Sequence, residues 1–304
     1  MDILNSYLRR LAFLRVKIDT FLLRIWTPLC SKTKNERRAK FKQLRYLVEK
    51  KYLRRYLSAA DSAHPAKSDT RETPKIIWTC WWQGEENLPP VVKRCFESIR
   101  RYCPDFELRI ITADNIQNYI ELPDYIMQKH KQGYIQRAHL ADITRLALLE
   151  KYGGIWMDAT IYLTAPLPKI ITEAPFFAYH GHELHQGQIW FFKTAPHNAI
   201  ITGLKNLLLE YWKYENEVIN YFFAYTLWDL LLENNTVCAQ QWAQTPLMYD
   251  DCYDLETDFF EPYSPQKWAE IKAKTSVHKL SWKYKKQPPE NSFLQYLLDG
   301  KLED

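Results

Sequence analysis

The sequence predicts an α/β fold, a mixed sheet flanked by helices and preceded by a basic helical arm. Three observations predict it. Short apolar runs of strand character alternate with longer runs of helical periodicity. The segment Ala138–Thr160, AHLADITRLALLEKYGGIWMDAT, compresses that unit into a helix, a double-glycine stop and an apolar strand. Charge is also divided along the chain. Residues 1–60 carry 16 Lys/Arg against 4 Asp/Glu, a net of +12, while the remainder carries 25 against 32, a net of −7. Of the 304 residues 46% are hydrophobic, enough for one large core plus an appendage.

Residues 1–57 read as the arm. Leu4, Leu8, Leu11, Ile18, Leu22 and Ile25 recur near helical spacing with Arg9, Arg10, Arg15, Lys17 and Arg24 between them, and Pro28 breaks the pattern. A second basic helix follows around Asn35–Tyr56. Two readings stand. One is a membrane-surface helix, drawn to anionic lipid by charge and anchored by Leu, Phe21 and Trp26. The other is a helical pair packed on the remaining chain with a solvated basic face.

Residues 58–73 are polar and rich in turn formers, hence a linker, and 74–304 form the main domain. Lys75–Cys80 is its first strand, Pro90–Tyr102 a helix, Glu107–Thr112 a second strand and Asp114–Ile120 a short helix. The Tyr134–Lys151 helix and the Ile155–Tyr162 strand follow. Phe176–Tyr179 and Gln188–Lys193 read as further strands, Asn198–Tyr214 and Glu217–Asn234 as helices. The C-terminal stretch is irregular and ends in a small helix near Phe293–Leu298. The alternation makes the sheet Rossmann-like.

The helix ending at Gly153-Gly154 is apolar on most sides, so its charges must be paired or must serve a ligand. Asp142 and Arg145 are three apart and share a face. On the following strand Asp158 and Thr160, at i and i+2, point to one side. A carboxylate at the end of a core strand is a natural place to hold a sugar nucleotide and its divalent metal. Thr79, Trp81 and Gly84 lie at or just after the end of the first strand, where open α/β sheets bind ligands. Trp81 packs on a base or ribose in this reading, whereas Trp78 and Trp82 suit the core equally well. Arg137, one turn earlier on the helix, either aids phosphate binding or faces solvent. The run YHGHELHQG, with His180, His182, Glu183 and His185, lacks the order of a zinc-protease helix and reads as a polar acceptor loop. Asp229 has two readings: a group near the anomeric carbon or acceptor hydroxyl, or a buried hydrogen-bond anchor.

The Asp142-x-x-Arg145 helix, the double glycine and the aromatic strand ending at Asp158 resemble the DxD-type segment of glycosyltransferases with a GT-A fold. The nearest likeness is to the capsular polysaccharide synthesis proteins, related to the family 32 glycosyltransferases. PKIIWTCWWQGEENLPP (Pro74–Pro90) resembles that family's opening strand and Trp loop, and SVHKLSWK (Ser276–Lys283) its late His and Trp segment. The resemblance implies a hexosyltransferase that uses a UDP- or GDP-sugar and retains anomeric configuration by front-face attack. It implies Mn²⁺ or Mg²⁺ held by Asp158, Thr160 and His278, although Thr160 replaces the second acid of DxD. Donor contacts would come from Thr79, Trp81, Gly84, Asp142, Arg145, Asp158, Thr160, Lys279 and Trp282, and catalytic groups from Asp158, Asp142 and Asp229. The acceptor would be a glycan or lipid-linked glycan of a bacterial surface polysaccharide.

Other properties narrow the field. The six cysteines form no CxxC pair and no zinc spacing, and no secretory leader is evident. The expected location is therefore the bacterial cytoplasm, peripheral on the inner face of the membrane. Nucleic acid is not an expected partner, because the basic charge is confined to the arm while the domain is acidic. Two alternatives stand: an inactive sugar-nucleotide-binding scaffold, suggested by the missing second acid, and a nucleic-acid-binding protein, suggested by the basic arm.

Overall fold

A computed structural model describes residues 2–60, 73–182, 184–284 and 286–302. The chain begins with α1 (Asp2–Leu29) and α2 (Lys34–Leu53), followed by a 3₁₀ segment, Arg54–Ala60. Thr33 starts α2 with a capping box: its hydroxyl accepts the Glu36 N–H, and the Glu36 carboxylate accepts the Thr33 N–H. Then come β1 (Ile76–Cys80), α3 (Pro90–Tyr102), β2 (Glu107–Ile111), α4 (Asp124–Lys131), α5 (Arg137–Tyr152), β3 (Gly154–Met157) and β4 (Ile161–Leu163). The order continues through α6 (Lys169–Thr172), β5 (Phe176–His180), β6 (Gly187–Thr194), α7 (Ala199–Tyr214), α8 (Phe223–Asn234) and α9 (Thr236–Ala243). It closes with α10 (Asp254–Thr257), α11 (Pro265–Lys274), β7 (Val277–Lys279) and α12 (Phe293–Leu298).

Five strands form the expected mixed sheet, in the order β2-β1-β3-β6-β5. Strand β1 runs parallel to β2 and β3, while β6 runs antiparallel to β3 and β5. Both faces are buried. Trp78 and Trp156, paired across β1 and β3, join the core beneath α5, α7 and α8, and Ile77, Ile155 and Met157 join the core on the opposite face. The chain order reverses between β1 and β3, which opens a crevice at their carboxyl ends. Gly153 and Gly154 make the turn from α5 into β3 with φ of 67° and 101°. A side chain on Gly154 would meet the Ile76 carbonyl oxygen at 2.7 Å, so glycine is what lets β3 lie against β1.

Several boundaries differ from the sequence reading. The run Ile155–Tyr162 is two strands, not one. Asp158–Thr160 form a turn closed by the Ile161 N–H donating to the Asp158 carbonyl at 3.0 Å, and β4 leaves the main sheet to pair antiparallel with β7. Residues 217–222 are not helical, and α8 begins at Phe223. Asp114–Ile120 contains only a 3₁₀ turn, Ile116–Asn118. Of the expected linker, 61–72 lie outside the described residues and 58–60 belong to the 3₁₀ segment.

The arm divides into two parts. Helix α2 and the 3₁₀ segment are built into the core: Leu53 and Tyr56 are fully buried, and Tyr52 and Tyr56 both donate to the Glu215 carboxylate. Lys50 pairs with Glu233 of α8. Helix α1 buries Phe13, Val16 and Thr27, and Phe13 meets the Tyr52 ring edge to face. Its other face leaves Leu8, Leu11, Ile18, Phe21, Leu22, Ile25 and Trp26 exposed. Among the described residues no helix is long and apolar enough to cross a membrane.

Candidate functional site

A cavity of about 650 Å³ opens at the carboxyl ends of β1 and β3, a size that suits a sugar nucleotide. Trp81, Trp82 and Gln83 follow β1 on one side, and Arg137, Asp142 and Arg145 come from α5. Asp158 and Thr160 come from the turn after β3, Lys279, Trp282 and Lys283 from β7 and the loop behind it, Tyr221 from the segment before α8 and Tyr225 from the first turn of α8. The described lining carries four cationic side chains and two carboxylates, so the cavity favours an anion.

Asp158 is at its centre. Its Oδ1 accepts from Arg145 Nη2 at 2.8 Å and from Trp156 Nε1 at 3.0 Å. The Arg145 guanidinium is 4% exposed, stacks over the Trp156 ring at 5.0 Å, and places Nη1 3.1 Å from Asp142 Oδ1. A buried cation thus lies between two carboxylates, which offsets its desolvation. Held this way, Arg145 fixes the orientation of Asp158 and has little surface left for phosphate. On the other side of Asp158, Lys279 Nζ lies 3.6 Å from Oδ2 and donates to Thr160 Oγ1 at 2.6 Å. Thr160 therefore does reach the cavity, but from a turn rather than from the face of a strand.

Aromatic side chains form the walls. Trp81 and Trp282 meet edge to face at 5.4 Å, and Trp81 Nε1 donates to the Asn87 carbonyl at 3.1 Å. Trp82 Nε1 donates to the Arg137 carbonyl at 3.0 Å, tying the loop after β1 to the start of α5. Burial pushes the Tyr225 phenol well up, and the neighbouring Asp158 adds to the effect. Burial likewise pushes the Cys80 thiol up, so this lining residue is a neutral thiol rather than a nucleophile.

The structure brings together Asp142, Arg145, Asp158, Thr160, Trp81, Lys279 and Trp282 from the sequence-predicted set. Four others are elsewhere. His278 is fully buried on the opposite side of β7 from Lys279, as strand alternation requires. Its Nε2 lies 3.1 Å from Thr164 Oγ1, and burial pushes its pKa down to about 4. It does not reach Asp158 and is corrected from metal ligand to core residue. Thr79 is buried inside β1 and outside the cavity lining. Gly84 is also outside the lining and supplies a turn with φ of 84°. Asp229, expected among the catalytic groups, is the hydrogen-bond anchor of its second reading. It is 1% exposed, and its oxygens take the Tyr46 hydroxyl at 3.0 Å, the Gln186 N–H at 2.9 Å and His185 Nδ1 at 2.8 Å.

Sequence reasoning missed Tyr221, Tyr225 and Trp156; Arg137 is exposed, as one of its two readings had it, and also lines the cavity. The spacing of Tyr221 and Tyr225 was a usable signal, overshadowed by the more conspicuous Asp229. The His-rich loop stands beside a second cavity, with His182 Nε2 2.7 Å from Asp251 Oδ1, while Glu183 lies outside the described residues.

The expected Mn²⁺ or Mg²⁺ finds few free oxygen ligands in this donor set. Such ions take several oxygen ligands. Asp158 Oδ1 is occupied by two donors, Asp142 faces Arg145, the Thr160 hydroxyl accepts from Lys279, and His278 is behind the strand. Among the described residues no three His, Cys, Asp or Glu side chains are grouped to hold a metal.

The chain is similar to several known proteins. The O-glycosyltransferase braB of Annulohypoxylon truncatum is 33% identical over 109 residues, which cover 33% of this chain and 25% of that protein. Inositol phosphoceramide mannosyltransferase 1 of Schizosaccharomyces pombe is 22% identical over 173 residues, 55% of this chain and 54% of that protein. The matches thus span between a quarter and about half of these relatives. Among solved structures, the PaToxG glycosyltransferase is 15% identical with a TM-score of 0.40, over 67% of this chain and 86% of that one. The pattern of one family matches residues 30–297, from the turn before α2 to the end of α12. The chain belongs to the capsular polysaccharide synthesis protein family.

Proposed function

We propose that this chain is a glycosyltransferase that moves a hexose from a nucleoside diphosphate sugar, UDP- or GDP-linked, to a glycan or lipid-linked acceptor. The observation that carries this reading is the Asp142–Arg145–Asp158 array at the base of an aromatic-walled, net-cationic cavity between the carboxyl ends of β1 and β3. The aromatic rings suit a base and a sugar, the cations suit a diphosphate, and Asp158 Oδ2 remains to accept from a sugar hydroxyl. Glycosyltransferase names among the relatives support the reaction class.

Neither lining carboxylate is a free base, because both face Arg145. This favours front-face attack with retention, in which the departing diphosphate oxygen takes the acceptor proton. The family's name supports a bacterial surface polysaccharide as the product. The mannosyltransferase relative, named for a phosphoceramide, supports a lipid-borne acceptor. The exposed apolar stripe of α1, interleaved with basic residues, suits an anionic membrane. The corresponding location is the cytoplasmic side of the inner membrane.

The test is a thermal-shift screen of UDP- and GDP-sugars followed by donor hydrolysis. One donor should raise the melting temperature by mass action. Asp158→Asn should lower turnover by roughly two orders of magnitude. Binding without turnover across an acceptor panel would favour the scaffold reading, and no stabilisation by any donor would remove the proposal.

A further inference from the structure

We propose that Lys279 is the cation that receives the donor diphosphate, in the place where a DxD-type site would hold a divalent metal. The inference rests on the proposed function and goes beyond it by naming the source of charge neutralisation.

The geometry carries it. Lys279 Nζ lies between Thr160 Oγ1, at 2.6 Å, and Asp158 Oδ2, at 3.6 Å, the two side chains that stand at the DxD positions. Its backbone is pinned to the same turn. Lys279 pairs with Ile161 across β4 and β7, the Leu280 N–H donates to the Thr160 carbonyl at 2.9 Å, and the Lys279 N–H donates to the Cys252 carbonyl at 2.8 Å. The ammonium is therefore fixed in position, lines the cavity, and has three N–H groups for its partners. A dication bonded to Asp158 Oδ2 would stand against this charge and would have one free carboxylate oxygen to hold it.

In the transfer step the bond from the anomeric carbon to the β-phosphate oxygen breaks, and its electron pair stays on that oxygen. The acceptor hydroxyl oxygen forms the new bond to the anomeric carbon, and its proton passes to the departing β-phosphate oxygen. Lys279 keeps its protons throughout and stabilises the charge that grows on the leaving diphosphate. Lys283 and Arg137, at the same cavity, add to the cationic field.

The experiment is calorimetric titration of the full chain with UDP and with GDP, in EDTA and again in MnCl₂. For the nucleotide that binds, the dissociation constants in the two conditions should agree within about twofold. Lys279→Met should weaken binding by about tenfold to a hundredfold, the size of a lost charge-assisted hydrogen bond, with no recovery in Mn²⁺. Lys279→Arg, which keeps the charge, should recover much of the affinity. Should Lys279→Met fail to fold, the wild-type comparison and Lys279→Arg still decide. Binding that appears only with Mn²⁺ overturns the inference and leaves the proposed function standing. Unchanged affinity in folded Lys279→Met overturns it as well. Binding of neither nucleotide in either condition overturns both.

Discussion

His278 and Lys279 are neighbours in sequence with opposite fates, and the reason is the two-residue period of β7. Lys279 faces the cavity, while His278 faces Trp268 and Tyr162 with its ring centroid 6.0 and 6.5 Å from theirs. Desolvation lowers the His278 pKa from 6.5 to about 4, partly opposed by Asp254. The consequence for stability has a definite sign. Above about pH 6.5 the imidazole is neutral in both folded and unfolded chains and contributes no pH dependence. Between about pH 6.5 and 4 only the unfolded chain takes up the proton, so the folded state loses stability as pH falls. The deficit should reach about 3 kcal/mol near pH 4 and then level off. Urea unfolding of wild type and His278→Gln across this range should show the difference between them changing by that order. A parallel pair of profiles would mean that His278 is solvated.

At the scale of elements, the joint between α2 and the body of the domain is the least expected feature. Glu215 is a buried carboxylate at the end of α7, satisfied by hydroxyls from Tyr52 and Tyr56. Tyr56→Phe removes a hydrogen bond to a charged group and should cost about 1.5–3 kcal/mol in a urea titration. A cost below about 0.5 kcal/mol, the level of a surface substitution, would mean that the joint carries no weight. This joint was hard to read from sequence because the basic residues of 34–55 dominate the pattern and hide three inward positions, Glu49, Tyr52 and Leu53. Strands β1, β2, β5 and β6 and helix α3 were legible, since their apolar runs lie beside Pro or Gly. The double strand 154–163 was not: Ile155–Tyr162 is apolar except for Asp158 and Thr160, and only the turn geometry separates its halves. In the site, Asp142, Arg145 and Asp158 were legible because charges on an apolar segment need partners. Lys279 was legible only as a neighbour, because the pairing of β4 with β7 is a tertiary event.

For the whole molecule, the uneven charge distribution and the stripe on α1 describe one surface. Exposed apolar residues from Leu8 to Leu29 lie along a helix that also carries Arg9, Arg10, Arg15, Lys17 and Arg24. Each basic residue near an anionic surface is worth about 1 kcal/mol, and buried apolar side chains add to that. Because α2 is part of the core, removing residues 1–57 would damage the fold, so point changes on the exposed face are the cleaner test. Phe21→Glu with Ile25→Glu should reduce flotation with phosphatidylglycerol vesicles at least about tenfold and leave the melting temperature close to wild type. Flotation equal to wild type would assign the stripe to something other than lipid.

The pairing of β4 with β7 also sets an order of events in the life of the chain. Thr160 and Lys279 are 119 positions apart, so their contact closes a long loop. The five strands of the main sheet all lie before residue 195 and can assemble while the last hundred or so residues are still being made. During that interval Asp158 already has Arg145 beside it, but the ammonium opposite has not arrived. Until β7 pairs with β4 the pocket lacks this ammonium, so its charge is completed by the last strand of the chain order.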